Sequence, residues 1–310
     1  MLGVAAMVAC TPPRQVDPVP RPPVRPAQPV ASPAPAPPPV AERSEISLAL
    51  SEYYRRIEGA LVGQGLLRRD LGGPDAPFDA DRLARTFERV ALFEEYDISS
   101  GAVVARETPS RLHRWERPVQ IEPRFGATVP SGDRDRDTAM LTALVDRLRA
   151  ATRHPIEVVD EGGNFIVYFV SEDERRALGS DLQRVSAQIS GAALRSVVDL
   201  PQTSYCVVMA VDPDNSGKYT RAVAIIRAEH PELLRLSCIH EEVAQGLGLS
   251  NDTPMARPSI FNDDEEFALL TRHDELLLRI LYDPRLEPGM SIEEAGPIVR
   301  RIARELVPES

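Results

Sequence analysis

The residues with the most chemical potential lie in one stretch, Cys238-Ile239-His240-Glu241-Glu242-Val243-Ala244-Gln245-Gly246-Leu247-Gly248-Leu249-Ser250-Asn251-Asp252. His240-Glu241 would open a zinc-binding helix of the form H-E-x-x-H, but the second histidine then falls on Ala244, and that register fails. Moved by one residue, the string reads Glu241-Glu242-x-x-Gln245-x-x-Gly248-Leu249-x-Asn251-Asp252. Glu241 and Gln245, four apart, share a helix face, and a glycine able to take positive φ turns the chain so that Asn251 can return as a third donor. Donors so spaced on a helix and the turn after it are of the kind that hold a metal ion.

The spacing resembles the extended signature of the metzincin metallopeptidases, H-E-x-x-H-x-x-G-x-x-H followed by Asp or Ser. The resemblance implies that Glu241, Gln245 and Asn251 stand where three zinc-binding histidines belong, with Asp252 next to the last. Glu242 matches the catalytic glutamate and Gly248 the turn glycine. Downstream, Pro258-Ser259-Ile260-Phe261-Asn262 lies where metzincins carry the Met-turn, so Ser259, Ile260 and Phe261 would run beneath the metal position. Asp264 to Tyr282 then resembles the closing helix. Together with P-S-I-F-N-D-D, L-Y-D-P-R-L-x-P-G-M and the N-terminal features below, the string is similar to a proteobacterial lipoprotein family catalogued as a domain of unknown function.

The donor types argue against ordinary zinc catalysis. Gln245 and Asn251 offer neutral amide oxygens, and one carboxylate plus two amides suits Ca²⁺ or Mg²⁺ at least as well as Zn²⁺. His240 points about 100° away from Glu241 around the helix, and His273 lies on the closing helix, so neither is a natural replacement. No cofactor is expected; a divalent metal on Glu241, Gln245, Asn251 and Asp252, with Asp263 nearby, is the alternative. The expectation is a catalytically silent module that binds a peptide or envelope component through the former cleft. A hydrolase of peptide or amide bonds using atypical ligands and Glu242 as base is the second reading, and a structural envelope assembly protein the third. Without any ligand, Glu241, Glu242, Gln245 and Asn251 would form a polar cluster tying helix, loop and closing helix together.

The elements that must position these residues are legible from periodicity. Apolar residues at helical spacing predict helices over Ser44 to Leu71 (Ile46, Leu50, Tyr54, Ile57, Leu61) and Asp79 to Tyr96 (Leu83, Phe87, Val90, Phe93), with turn chemistry at Gly72-Gly73-Pro74 between them. From Trp115 strands and helices alternate. Strands are expected at 119–122, 156–159 and 165–170, an amphipathic helix at Thr138 to Thr152, and an antiparallel pair at Ser204 to Val211 and Arg221 to Arg227. Pro231 opens the helix that carries the motif. Asp212, Asp214, Ser216 and Gly217 imitate the start of a calcium loop, but Val223 stands where the closing glutamate belongs, so a hairpin turn is the better reading. Asn262 to Glu266 reads as the N-terminal cap of the closing helix. The fold class is α+β: a metzincin-like domain with a mixed sheet, an active-site-type helix and a C-terminal helix, over residues 111–310. A helical unit over 43–110 precedes it.

Residues 1–9 are small and apolar and read as a partial signal peptide, and Met7-Val8-Ala9-Cys10 resembles a lipobox in which Cys10 carries the lipid. Residues 10–42 continue as a tether: 13 of the 29 prolines lie between Thr11 and Val40, favouring an extended polyproline II segment with a reach of roughly 90 Å. If Cys10 is lipidated, Cys206 and Cys238 remain as a pair that an oxidising compartment joins, with two buried thiols as the alternative. The expected location is the periplasmic side of the envelope, attached to the membrane by the lipid alone. A net charge of -11 from 36 basic and 47 acidic residues opposes phosphate binding, so nucleic acid is not an expected partner.

Overall fold

Two strands made almost wholly of β-branched, aromatic and small apolar residues, FIVYFV and RAVAIIR, form the centre of the molecule. The computed structural model describes residues 41–97, 104–262 and 264–308. Cys10, the proline-rich segment and Asp263 lie outside them. The chain runs through α1 (Glu45–Gly63), α2 (Ala80–Ala91), β1 (Phe93–Asp97), β2 (Val104–Pro109), β3 (Val119–Phe125), α3 (Ser131–Thr152), β4 (Ile156–Val158) and β5 (Phe165–Val170). Three short helices follow, α4 (Glu172–Ala177), α5 (Gly179–Val185) and α6 (Gly191–Val198). Then come β6 (Cys206–Val211), β7 (Arg221–Arg227), α7 (Glu232–Gln245), α8 (Arg272–Leu281) and α9 (Ile292–Leu306). This is a mixed α/β fold in which a helical N-terminal region precedes a helix-and-sheet core.

The five-stranded sheet has the order β4-β3-β5-β7-β6. Its first four strands are parallel, and β6 lies antiparallel to β7 at the edge. A central parallel strand is buried on both faces, and the period of two divides its side chains between two layers. Phe165, Val167, Phe169, Ala222, Ala224 and Ile226 enter the main core, whereas Ile166, Tyr168, Val170, Val223 and Ile225 pack with Leu178, Leu182 and Val197 on the other face. Residues from both 43–110 and 111–310 enter the main core, Leu83 and Phe87 of α2 beside Leu277 of α8 and Val299 of α9. Each such buried Leu, Val or Phe contributes roughly 1.5–3 kcal/mol, which is what holds α7 in the interior.

Several boundaries differ from the periodicity: α1 ends at Gly63 instead of Leu71, α3 begins at Ser131 instead of Thr138, and β3 runs on to Phe125. α2 stops at Ala91, and Phe93 begins an antiparallel pairing with β2, because the aromatic residues Phe93 and Tyr96 suit a strand as well as a helix. The closing helix starts at Arg272, not near Asp264. Its cap is Thr271, paired with Asp274 in a capping box, so the acidic run Asn262 to Glu266 belongs to the loop before it.

Candidate functional site

α7 follows β7 after a four-residue connection and runs through the interior. Ile239, Val243 and Ala244 are buried in the core, and the polar Glu242 is only 4% exposed. Glu241 and Gln245, one turn apart, are half-buried, as their shared face requires. The helix ends at Gln245; Trp115 Nε1 donates to the Gly246 carbonyl at 2.8 Å and the Tyr282 hydroxyl to that of Leu247 at 3.0 Å. Gly248 then turns the chain with φ +126°, so close to His113 that an added Cβ would stand 2.2 Å from its carbonyl oxygen. No other residue type fits that approach.

The turn returns Asp252 to the helix, where its Oδ1 accepts from Gln245 Nε2 at 3.2 Å. Asn251 is directed elsewhere. Its backbone N–H donates to the Val90 carbonyl and its side-chain Nδ2 to that of Arg89, so it satisfies the last carbonyls of α2. The structure therefore brings Gln245 and Asp252 together and ties Asn251 to α2.

A second grouping lies one turn earlier. Cys206 and Cys238 form a disulfide that joins the start of β6 to α7. The Cys206 sulfur and one carboxylate oxygen each from Glu241 and Glu242 lie within 4.8 Å of one another. That is a set that could hold a metal, except that the sulfur is already bonded and carries no thiolate charge.

The two histidines near the motif do other work. His240 Nδ1 accepts from the Leu270 N–H at 2.9 Å, and burial pushes the imidazole down to about 3. His273 is fully buried edge-on to Phe78, its rings 4.7 Å apart, and burial likewise lowers it to about 3. In the loop before α8, Ser259 Oγ and the Ile260 N–H donate to the Asp274 carboxylate, and Thr271 donates to it from both its hydroxyl and its N–H. Burial pushes Asp274 up to about 6 against those donors. Ile260 and Phe261 are core residues. The Ser259-Ile260-Phe261 turn is thus fastened to the N-terminus of α8.

The sequence did not single out His230. It is 2% exposed, its Nδ1 lies 3.7 Å from Cys238 Sγ, and its ring stands edge-on to Tyr54 of α1 at 4.5 Å. Its place just before Pro231, two helical turns ahead of Cys238, was the available signal. The hairpin turn carries no exceptional chemistry: Asp212 accepts from the N–H groups of Ser216 and Gly217.

A family model described as "Protein of unknown function (DUF2927)" matches residues 80–301. No curated protein and no solved structure matches significantly.

Proposed function

The chain belongs to the DUF2927 family, and from that premise we propose a lipid-anchored protein of the cell envelope whose metzincin-like cleft binds an extended peptide or another envelope component. The observation that carries this reading is the half-buried polar strip of Glu241 and Gln245, at the otherwise buried C-terminal end of α7, continued by Asp252 of the following turn. Beside it runs β6, joined to α7 by the disulfide; among the described residues it pairs only with β7, and it is half-buried along its whole length. A free strand edge supplies main-chain donors and acceptors to an extended ligand, and a neighbouring strip of carboxylate and amide groups supplies selectivity. The order of strand, helix, strands, antiparallel edge strand, motif helix, turn and closing helix supports the likeness to a metzincin scaffold.

The residues do not fit a catalytic zinc at the inherited position. Imidazoles are replaced by Glu241, Gln245 and Asn251; the Gln245 amide pairs with Asp252 and the Asn251 amide holds the Arg89 carbonyl. Neutral amide oxygens neither hold zinc well nor lower the pKa of a bound water as a histidine set does. Glu242 keeps the place of a base without a metal-activated nucleophile to make.

The test uses the full chain and a fluorescent library of extended peptides. Binding is expected, weakened at least tenfold by Gln245→Arg, which puts a bulky cation in the strip. Peptide binding indifferent to that change, or none at all, overturns the reading. So does metal-dependent peptide or amide hydrolysis that disappears in Glu242→Gln, which would establish the hydrolase instead. The anchor is tested separately by mass spectrometry of the mature N-terminus, where a lipid mass on Cys10 is expected and an unmodified Cys10 removes the claim.

A further inference from the structure

The face of the sheet opposite α7 carries a cationic groove. On that face the period of two aligns Glu122 and Arg124 of β3 with Ile166 and Tyr168 of β5 and with Arg221 and Val223 of β7. Leu182 of α5 and Val197 of α6 cover β5 and β7, but no β3 residue joins their apolar layer. β3 presents an ion pair there instead: Arg124 Nε donates to Glu122 at 2.5 Å and its Nη1 to the Tyr168 hydroxyl at 3.1 Å. The space left between β3 and α5 is a hollow of about 350 Å³ with Arg124, Arg184 and Arg221 in its walls and Ile166 and Val185 as its apolar lining. Past Val185 and Arg221 it continues into a second hollow of about 380 Å³, which adds Arg117.

Two of these guanidinium groups are fixed in advance. Arg221 Nη1 donates to the Gly163 carbonyl at 2.9 Å, while its Nε and Nη2, like Arg124 Nη2, have no protein partner among the described residues. Gly163 is itself anchored: its N–H donates to Glu122 at 2.9 Å, and an added Cβ would stand 2.6 Å from Glu122 Cβ and 2.8 Å from the Gln120 carbonyl oxygen. The charge of the groove is unbalanced. Among the described residues Asp181, paired with Arg184, is the one carboxylate in its lining, and Glu122 is engaged by Arg124 and Gly163. Asp160 and Glu161 precede Gly162 in the same loop but do not line it. Arginine does not shed its proton to relieve repulsion from its neighbours, so in a chain of net charge -11 such a cluster is a local positive field that attracts an anion.

We propose that this groove binds a phosphate ester, with the phosphate between Arg124 and Arg221, further charge from Arg117 and Arg184, and the organic part of the ligand against Ile166 and Val185. A guanidinium fork matches phosphate oxygens bidentately, and a dianion with three free oxygens engages more than one fork, where a single carboxylate is satisfied by one. The size of the hollow is that of a small-ligand site. It lies across the sheet from Glu241, Gln245 and Asp252, since α7 packs in the main core and the groove adjoins the other apolar layer. The site is therefore independent of the peptide-binding reading.

The test titrates the isotope-labelled full chain with glycerol phosphate and follows amide resonances. Saturable shifts are expected at Gly162, Gly163 and Arg221, with affinity weakened at least tenfold by the double change Arg117→Gln with Arg221→Gln. Both arginines are exposed, and circular dichroism identifies a variant that fails to fold; in that case Arg117→Gln with Arg184→Gln carries the test. Succinate, which offers two carboxylates and no phosphate, is the control, and succinate binding as tight as that of the ester overturns the phosphate assignment. Flotation with vesicles containing phosphatidic acid, on the full chain carrying Cys10→Ser so that no acyl group contributes, separates the sources of the ester. Arginine-dependent binding to both probes identifies a lipid headgroup site, and binding to glycerol phosphate alone a soluble ligand. No saturable binding of glycerol phosphate, shifts confined to other parts of the chain, or an affinity unchanged in the arginine variants overturns the proposal.

Discussion

At the scale of single residues, Gly248 and Asn251 show how the same motif is divided between shape and chemistry. Gly248 is required by geometry, because its φ of +126° and the carbonyl of His113 leave no space for a side chain. Gly248→Ala should therefore destabilise the protein by on the order of 3 kcal/mol, adding backbone strain to overpacking, and should lower the urea midpoint to match. A loss under about 1 kcal/mol would mean that the turn relaxes in a way the packing does not suggest. Asn251, by contrast, holds its position in the string but gives its amide N–H to the end of α2. The sequence places it correctly along the chain. Which atom it faces is set by α2, some 160 residues earlier.

At the scale of elements, the N-terminus of α7 is completed from a distance. Pro231 makes no side-chain cap, and Glu58 of α1 accepts from the Leu234 N–H at 2.8 Å. A carboxylate there satisfies an orphan donor and complements the helix dipole. Glu58→Ala should cost about 1 kcal/mol and speed amide exchange in the first turn of α7 and along α1. Unchanged exchange in both helices would show that α1 is held by other contacts, such as Tyr54, whose hydroxyl donates to the Gln202 carbonyl at 2.9 Å. Periodicity predicted α1, α2 and the β6–β7 pair because each alternates or repeats strongly. It missed the true start of α8, since the acids near Asp264 imitate a first turn, while the actual cap, Thr271 with Asp274, depends on a carboxylate buried against the Ser259 turn.

At the scale of the whole molecule, buried neutral imidazoles make the fold sensitive to acid. His240 and His273 are lowered to about 3 by burial, and His230 is lowered well below the usual histidine range by burial beside Arg227 and Arg235. The unfolded chain takes up these protons near pH 6.5 and the folded chain does not, so stability falls as pH drops below that value. Asp274 works in the opposite sense. Raised to about 6, it gains its proton in the folded state first, so between about pH 6 and its unfolded value of about 3.9 it offsets one histidine. Each uncompensated imidazole contributes up to about 1.4 kcal/mol per pH unit. Urea midpoints should therefore fall between pH 7 and pH 5, before ordinary carboxylates titrate. A flat midpoint over that interval would mean that these rings accept protons without loss of native packing.

What the sequence determined by itself is whatever depends on local geometry. The four-residue spacing put Glu241 and Gln245 on one helix face, Gly248 marked the turn, and alternation defined the antiparallel pair. With Cys10 set aside as the lipid site, Cys206 and Cys238 remained as either a bridge or two buried thiols, and the structure forms the bridge. Tertiary structure alone decided which groups meet: Asp252 with Gln245, Asn251 with Arg89, and His230 with Cys238. The physical reason is that periodicity encodes the direction in which a side chain leaves its own element. The atom it finds there depends on elements far along the chain, brought near by burial of a shared apolar core.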